Sequence, residues 1–173
     1  SGAPAGAGYT QVAAGAQFGL ALRSDGSIAA WGRDNHGQVA NAPSGTGYTQ
    51  IACGPGFALA LSASGSIVGW GSDGDQQVTD IPPGTGYSQL ACGQGYAFAL
   101  RADGSIAAWG GDASGQVSNV PVGAGFLQVE AGRGHYGLAL RANGSIAAWG
   151  SNIWTQVTGA PSGQGFLPFS GGT

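Results

Sequence analysis

The sequence predicts an all-β repeat protein, a β-propeller of four blades, and three observations carry that expectation. The first is period: Trp31, Trp70, Trp109 and Trp149 recur at spacings of 39, 39 and 40 residues, each followed by Gly. The second is alternation. Before each Trp the apolar residues fall at every second position, the period of a strand, and the 3.6-residue period of an amphipathic helix is absent. The third is turn chemistry: Asp25-Gly26, Ser64-Gly65, Asp103-Gly104 and Asn143-Gly144 each separate two such segments. Asx-Gly between alternating runs is a hairpin signal and points to a type I′ turn, whose central residues both take positive φ.

The elements follow in order. Residues 1–8 are rich in Gly, Ala and Pro and read as a leader within a single repeat domain, 1–173. Strand a begins each repeat: Tyr9-Thr10-Gln11-Val12, with copies from Tyr48, Tyr87 and Phe126, and a fifth from Phe166. In strand b, Phe18, Leu20 and Leu22 share one face, and Gly19, Ala21 and Arg23 the other. Strand c pairs Ile28 with Ala30 on one face and Ala29 with Trp31 on the other. A sheet with one bulky and one tiny face stacks on a copy of itself and buries both, as blades do. A short outer strand d is expected at Gln38-Val39, Gln77-Val78, Gln116-Val117 and Gln156-Val157. The repeats then run over 9–47, 48–86, 87–125 and 126–165, with 166–173 a partial fifth. There Pro168 replaces the Gln of the other copies and marks an edge strand.

Composition narrows the function classes. The 173 residues include 36 Gly, and only 8% are charged. Five Arg and no Lys against eight Asp and Glu give a net charge of −3, which does not make a nucleic-acid surface. No apolar run reaches the roughly 18 residues of a membrane span, and no signal peptide is visible.

The motif Gly-x-x-Phe/Tyr-x-Leu/Phe-Ala-Leu, then Asx/Ser-Gly-Ser-Ile, then Trp-Gly, then Gln-Val is similar to the regulator of chromosome condensation repeat. The resemblance runs from about Tyr9 to the end of the chain. The short period is nearer to compact bacterial members, such as the type-two β-lactamase inhibitor protein, than to the longer eukaryotic repeats. The resemblance implies a propeller that binds other proteins with its loops, and it leans toward a soluble, secreted protein. The family's usual ring has seven blades, and four are present here. The His often found at the start of strand b is replaced by Phe18, Phe57 and Tyr96; only His135-Tyr136 offers one.

Candidate chemistry is sparse. His36 and His135 lack a Cys partner at zinc spacing, lie in different repeat positions, and read as loop and blade-edge residues. Asp34-Asn35-His36 and Asp73-Gly74-Asp75 resemble pieces of a calcium loop without its ligand series. Cys53 and Cys92 fill slots held elsewhere by Ala14 and Ala131, which favours two free thiols over a disulfide. Glu130 stands where other repeats have Ala13, Ala52 and Ala91, and the structural reading is that it faces a central channel or pairs with Arg133 or Arg141. Asn143-Gly144-Ser145 fits a glycosylation sequon, but the turn explains it. No catalytic residue, metal site or cofactor is expected.

The repeats differ most in the loop after each Trp-Gly: Arg33, Asp34, Asn35 and His36; Asp73 and Asp75; Asp112; Asn152, Ile153 and Trp154. A regular frame with divergent loops on one rim suits recognition, so the expected function is a non-enzymatic protein-binding or assembly module. A lectin-like propeller is the alternative and inhibition of a secreted enzyme a lesser one. Trp154, without a counterpart in other repeats, is the expected anchor. Because each blade buries its faces only against neighbours, a homo-oligomer is expected, a dimer of four-blade chains closing as eight, with a single-chain ring or an open assembly as rivals.

Overall fold

The computed structural model describes residues 2–167. Its strands form four three-stranded antiparallel sheets, each a meander in chain order. The first contains β1 (Tyr9–Ala14), β2 (Phe18–Arg23) and β3 (Ile28–Gly32). The second contains β4 (Tyr48–Cys53), β5 (Phe57–Ser62) and β6 (Ile67–Gly71). The third contains β7 (Tyr87–Cys92), β8 (Tyr96–Arg101) and β9 (Ile106–Gly110). The fourth contains β10 (Phe126–Gly132), β11 (Tyr136–Arg141) and β12 (Ile146–Gly150). First strands lie against one another from blade to blade, so the blades converge at β1, β4, β7 and β10 and fan out toward the third strands.

Register fixes the faces. In the first blade Leu20 pairs with Ala13 and Ala30, and Leu22 with Gln11 and Ile28. The opposite face carries Val12, Ala14, Gly19, Ala21, Ala29 and Trp31. Phe18, Leu20 and Leu22 of blade one bury against Ile51, Ala58, Ala60 and Trp70 of blade two. The same bulky-on-small contact joins blade two to three and blade three to four. In blades one and four the Trp ring lies against a glycine, where a Cβ on Gly19 would come 2.5 Å from Trp31 and one on Gly137 2.3 Å from Trp149; blades two and three place Ala58 and Ala97 opposite their Trp. Among the described residues no shared core joins blade four to blade one, so the four blades form an open arc.

Two local expectations are corrected. The hairpin turns are not type I′. Only Gly26, at φ 80°, takes a positive φ; Asp25 does not. The Arg23 carbonyl accepts the Gly26 amide at 2.9 Å and the Ser27 carbonyl accepts the Arg23 amide at 2.9 Å, a type I turn closed by a glycine bulge. Strand d is absent as well, leaving three strands per blade where four were expected. Gln38-Val39 and its copies lie in a coiled turn. Asp34 Oδ1 takes the amides of Val39 (2.7 Å) and Ala40 (3.1 Å), so those donors do not extend a ladder. The fifth copy of strand a is only partly in view: Phe166 and Leu167 are not in a strand, and the rest, with Pro168, lies outside the described residues.

Candidate functional site

The post-Trp turns line one rim of the arc, and each is built from two fixed residues. Three positions after each Trp, an Asx oxygen accepts two backbone amides. Asp73 holds Val78 and Thr79, Asp112 holds Val117 and Ser118, and Asn152 holds Val157 and Thr158, as Asp34 holds its pair. Seven positions after each Trp, a Gln side-chain oxygen accepts a turn amide. Gln38 takes His36, Gln77 takes Asp75, Gln116 takes Ser114 and Gln156 takes Trp154, at 2.8 to 2.9 Å. The residue between is left-handed in all four: Gly37, Gln76, Gly115 and Thr155.

The geometry thereby sorts the candidate residues. Asp34, Asp73, Asp112 and Asn152 occupy one repeated position and are committed to the turn. Their neighbours are the residues free to differ: Asn35, Gly74, Ala113 and Ile153, then His36, Asp75, Ser114 and Trp154. Ile153 and Trp154 are 78% and 83% exposed, an apolar pair on a capped turn. The repeated Asx and Gln were legible in the sequence once the four loops were aligned on their Trp.

The clefts between blades on this rim also differ. Between blades one and two, Arg33 and His36 line a hollow of about 260 Å³ with Gln17 and Pro55, and the Arg33 guanidinium donates to Gln17. Between two and three, the Asp75 carboxylate lies over Gly95, where a Cβ would come within 2.1 Å of it. Between three and four, His135 Nδ1 sits 3.4 Å from Gln116 Nε2 and its ring stacks on Tyr96. The structure brings Arg33 and His36 together but keeps Asp75 and Trp154 in separate turns.

The electrostatics match a frame. Partial burial pushes Asp73 and Asp112 up, but the two amides and the hydroxyl that each accepts outweigh it, and both carboxyls end below the usual range. Burial pushes the Cys53 thiol up to about 12 and holds the Cys92 thiol well above its ordinary value, with Cys53 adding to the latter; both thiols are free. Glu130 accepts from Gln128 Nε2 at 3.1 Å, while the Arg141 guanidinium lies 4.3 Å over the Phe126 ring. The expected Glu130–Arg141 pair is therefore replaced. Among the described residues no three His, Cys, Asp or Glu side chains converge as metal ligands, and no helix is long and apolar enough to cross a membrane.

A second surface escaped the reading of the loops. Polar side chains cross every blade boundary. Gln11 exchanges two bonds with the Ile51 backbone, Gln50 Oε1 accepts the Leu90 amide, and Gln89 Oε1 accepts Val129. The indoles of Trp70, Trp109 and Trp149 donate to the carbonyls of Gln38, Gln77 and Gln116. Repetition of Gln and Trp in every copy is the signal that could have found them.

Residues 9–38 and 48–77 match the family model of the Regulator of chromosome condensation (RCC1) repeat. No curated protein matches the chain. Among solved structures, the arc resembles the ectodomain of the receptor kinase CR4 from Physcomitrella patens: 24% identity, 90% of this chain, 46% of that chain, TM-score 0.73. It also resembles yeast RCC1 (Prp20), solved with Kap60: 21% identity, 86% of this chain, 45% of that chain, TM-score 0.70. A third likeness is Prp20p of Saccharomyces cerevisiae, described with its binding to Gsp1p and histones: 22% identity, 82% of this chain, 43% of that chain, TM-score 0.65. The chain spans a little under half the length of these neighbours. Two of the four repeats match the RCC1-repeat model, and all four stack as blades in the fold of RCC1-type β-propellers, so the findings support an RCC1-repeat β-propeller.

Proposed function

We propose that the chain is a non-enzymatic protein-binding module that recognises its partner through the rim of post-Trp turns and works as a homodimer. The observation that carries the rim reading is the pairing of Asn152 and Gln156, which fix the turn, with Ile153 and Trp154, which it holds exposed. A rigid turn lowers the ordering cost of binding, and Trp is enriched at interface hot spots. Arg33 at the first cleft and Asp75 at the second carry opposite charges, which favours selection of one partner over many. Support also comes from yeast Prp20, whose structures are described with Kap60, Gsp1p and histones.

The test is quantitative affinity capture from extracts, read by mass spectrometry. Specific partners are expected to fall at least about 10-fold in yield with Trp154→Ala and to fall with His36→Ala. Equal yields from all three proteins refute the rim.

A further inference from the structure

The contact between successive blades is made three times within the chain and left half-made at each end. Blade one turns its small-residue face outward. There Val12 is 74% exposed, whereas its equivalents Ile51, Leu90 and Val129 are 2%, 4% and 0%. An open hollow of about 670 Å³ lies on this face, lined by Val12, Gly15, Phe18, Gly19 and Trp31. Blade four turns its bulky face outward: Tyr136, Leu138, Leu140 and Ile146 share it. Leu138 is half-buried there, while Leu20, Leu59 and Phe98 in the same position are fully buried.

The polar halves are left over in the same way. Gln128 is the fourth copy of the boundary-crossing Gln and turns to Glu130. Among the described residues no carbonyl takes the Trp31 indole, and no indole reaches the Gln156 carbonyl. Gln156 is half-buried where Gln38, Gln77 and Gln116 are buried.

We infer that these two end faces dock on each other between two copies of the chain, head to tail, so that each junction repeats the internal blade contact. This deepens the homodimer reading and rests on it. Gln128 Oε1 accepts the amide of the partner's Val12, and the indole of the partner's Trp31 donates to the Gln156 carbonyl. Leu138 enters over the partner's Gly19 against the partner's Trp31. Phe98 sets the precedent: its ring is 5.1 Å from that of Trp149, and a Cβ on Gly137 would come 2.7 Å from it. Tyr136 keeps the hydroxyl that Tyr96 places 2.5 Å and 2.8 Å from the carbonyls of Gly132 and Tyr136, and it reaches the carbonyls of the partner's Gly15 and the partner's Phe18.

A second copy is favoured over an unrelated protein because both faces carry the shape and the hydrogen-bond register of one contact, already formed three times by this chain. Two copies are favoured over more because the arc follows the CR4 ectodomain with a TM-score of 0.73 and covers 46% of it. Two such arcs supply that length and close. The segment now on this face must move, because Phe166 and Leu167 line its hollow together with Leu138 and Ile146. The Phe166 amide donates to the Gly144 carbonyl at 3.1 Å, as Tyr48 does to Gly26 at 3.2 Å, and it holds the place of the partner's Tyr9.

Sedimentation equilibrium of the 173-residue chain tests this. The expected mass is near twice the 16.9 kDa of one chain. Val12→Asp and Leu138→Asp each place a carboxylate in both junctions and are expected to raise the dissociation constant about 100-fold or more. Val12 is exposed within one chain, so its variant keeps the fold, and circular dichroism checks both. An equimolar mixture of the two variants has one intact junction and is expected to recover pairs that grow no further. A single-chain mass for the unmodified protein at about 100 µM overturns the inference and the homodimer reading together. A dimer that both variants leave intact, or variants that mixing does not rescue, overturns the head-to-tail junction and leaves the homodimer reading standing.

Discussion

The amide of Val129 donates to the side-chain oxygen of Gln89 at 3.0 Å, across the boundary between blades three and four. Val129 is fully buried, and the Gln89 oxygen takes an amide that would otherwise be left without a partner in the interior. Leaving a buried amide unpaired costs about 1–3 kcal/mol. Gln89→Ala is expected to lower unfolding stability by about that amount in urea titration. Gln128→Ala removes the same side chain where, among the described residues, it meets no neighbouring blade and bonds only Glu130, and is expected to leave the stability of a single chain nearly unchanged. Equal losses for the two variants would show that the boundary bond contributes nothing of its own.

Gly26 is needed for two reasons at once. Its φ of 80° is left-handed, and a Cβ there would stand 2.4 Å from the Gly47 nitrogen, where the next blade begins. Gly47 and Tyr48 donate to the carbonyls of Asp25 and Gly26, so the turn of one blade positions the first strand of the next. Gly26→Ala is expected to cost at least about 2 kcal/mol, from the left-handed strain together with the displaced backbone. Calorimetry would read that as a Tm lower by about 4 °C or more. Gly45 also has a positive φ but meets no atom within 4 Å, so Gly45→Ala is the control with strain alone.

The blades were legible because their signals are local and repeated. Alternation in Phe18–Arg23 named the faces, and the Trp period named the copies. The outer strand was misread for a physical reason. Gln38-Val39 looks like a strand fragment, but its amides belong to Asp34, five residues back from Val39, and only the folded turn brings them together. The turn type was misread because Asx-Gly suits two geometries, and Asp25 avoids positive φ when its side chain accepts the Ser27 amide at 2.8 Å. Sequence could name Val12 and Leu138 as facing residues but not as unpaired ones, because curvature decides whether blade four meets blade one.

The caps on the rim give a pH dependence with its own control. Asp73 and Asp112 have folded pKa values below the usual carboxylate range. A lowered folded pKa contributes stability that is present above the unfolded value of about 3.9 and lost as pH falls through the folded value. Asn152 does the same work with an amide that does not titrate in this range. Hydrogen exchange, corrected for intrinsic rates, is expected to show the amides of Val78 and Val117 losing protection as pH falls below about 4. Val157 should keep its protection. If all three loosen together, the change is global and the carboxylates are not its local cause.

Glu130 is expected to set the strength of the proposed head-to-tail dimer. It lies on the outward face of blade four, opposite Leu138, in the position of Ala13, Ala52 and Ala91. Each of those alanines packs into the core shared with the following blade. Docking of a second copy would therefore cover the Glu130 carboxylate. On the facing surface of blade one, Val12, Ala14, Gly19, Ala21, Ala29 and Trp31 offer no cation, and the one Arg on that face, Arg23, is already engaged by Tyr9 and Ser27. Its hydrogen bond from Gln128 would also be lost, because Gln128 is the residue that turns to the partner's Val12. A carboxylate covered without a partner opposes binding strongly, so Glu130→Ala is expected to tighten the dimer about 10- to 100-fold. Sedimentation velocity across a dilution series reads this directly. Val12→Asp weakens the dimer from the other face, so the two variants have opposite signs on one junction. A dimer unchanged or weakened by Glu130→Ala would place Glu130 outside the junction, and with it the register that aligns blade four on blade one.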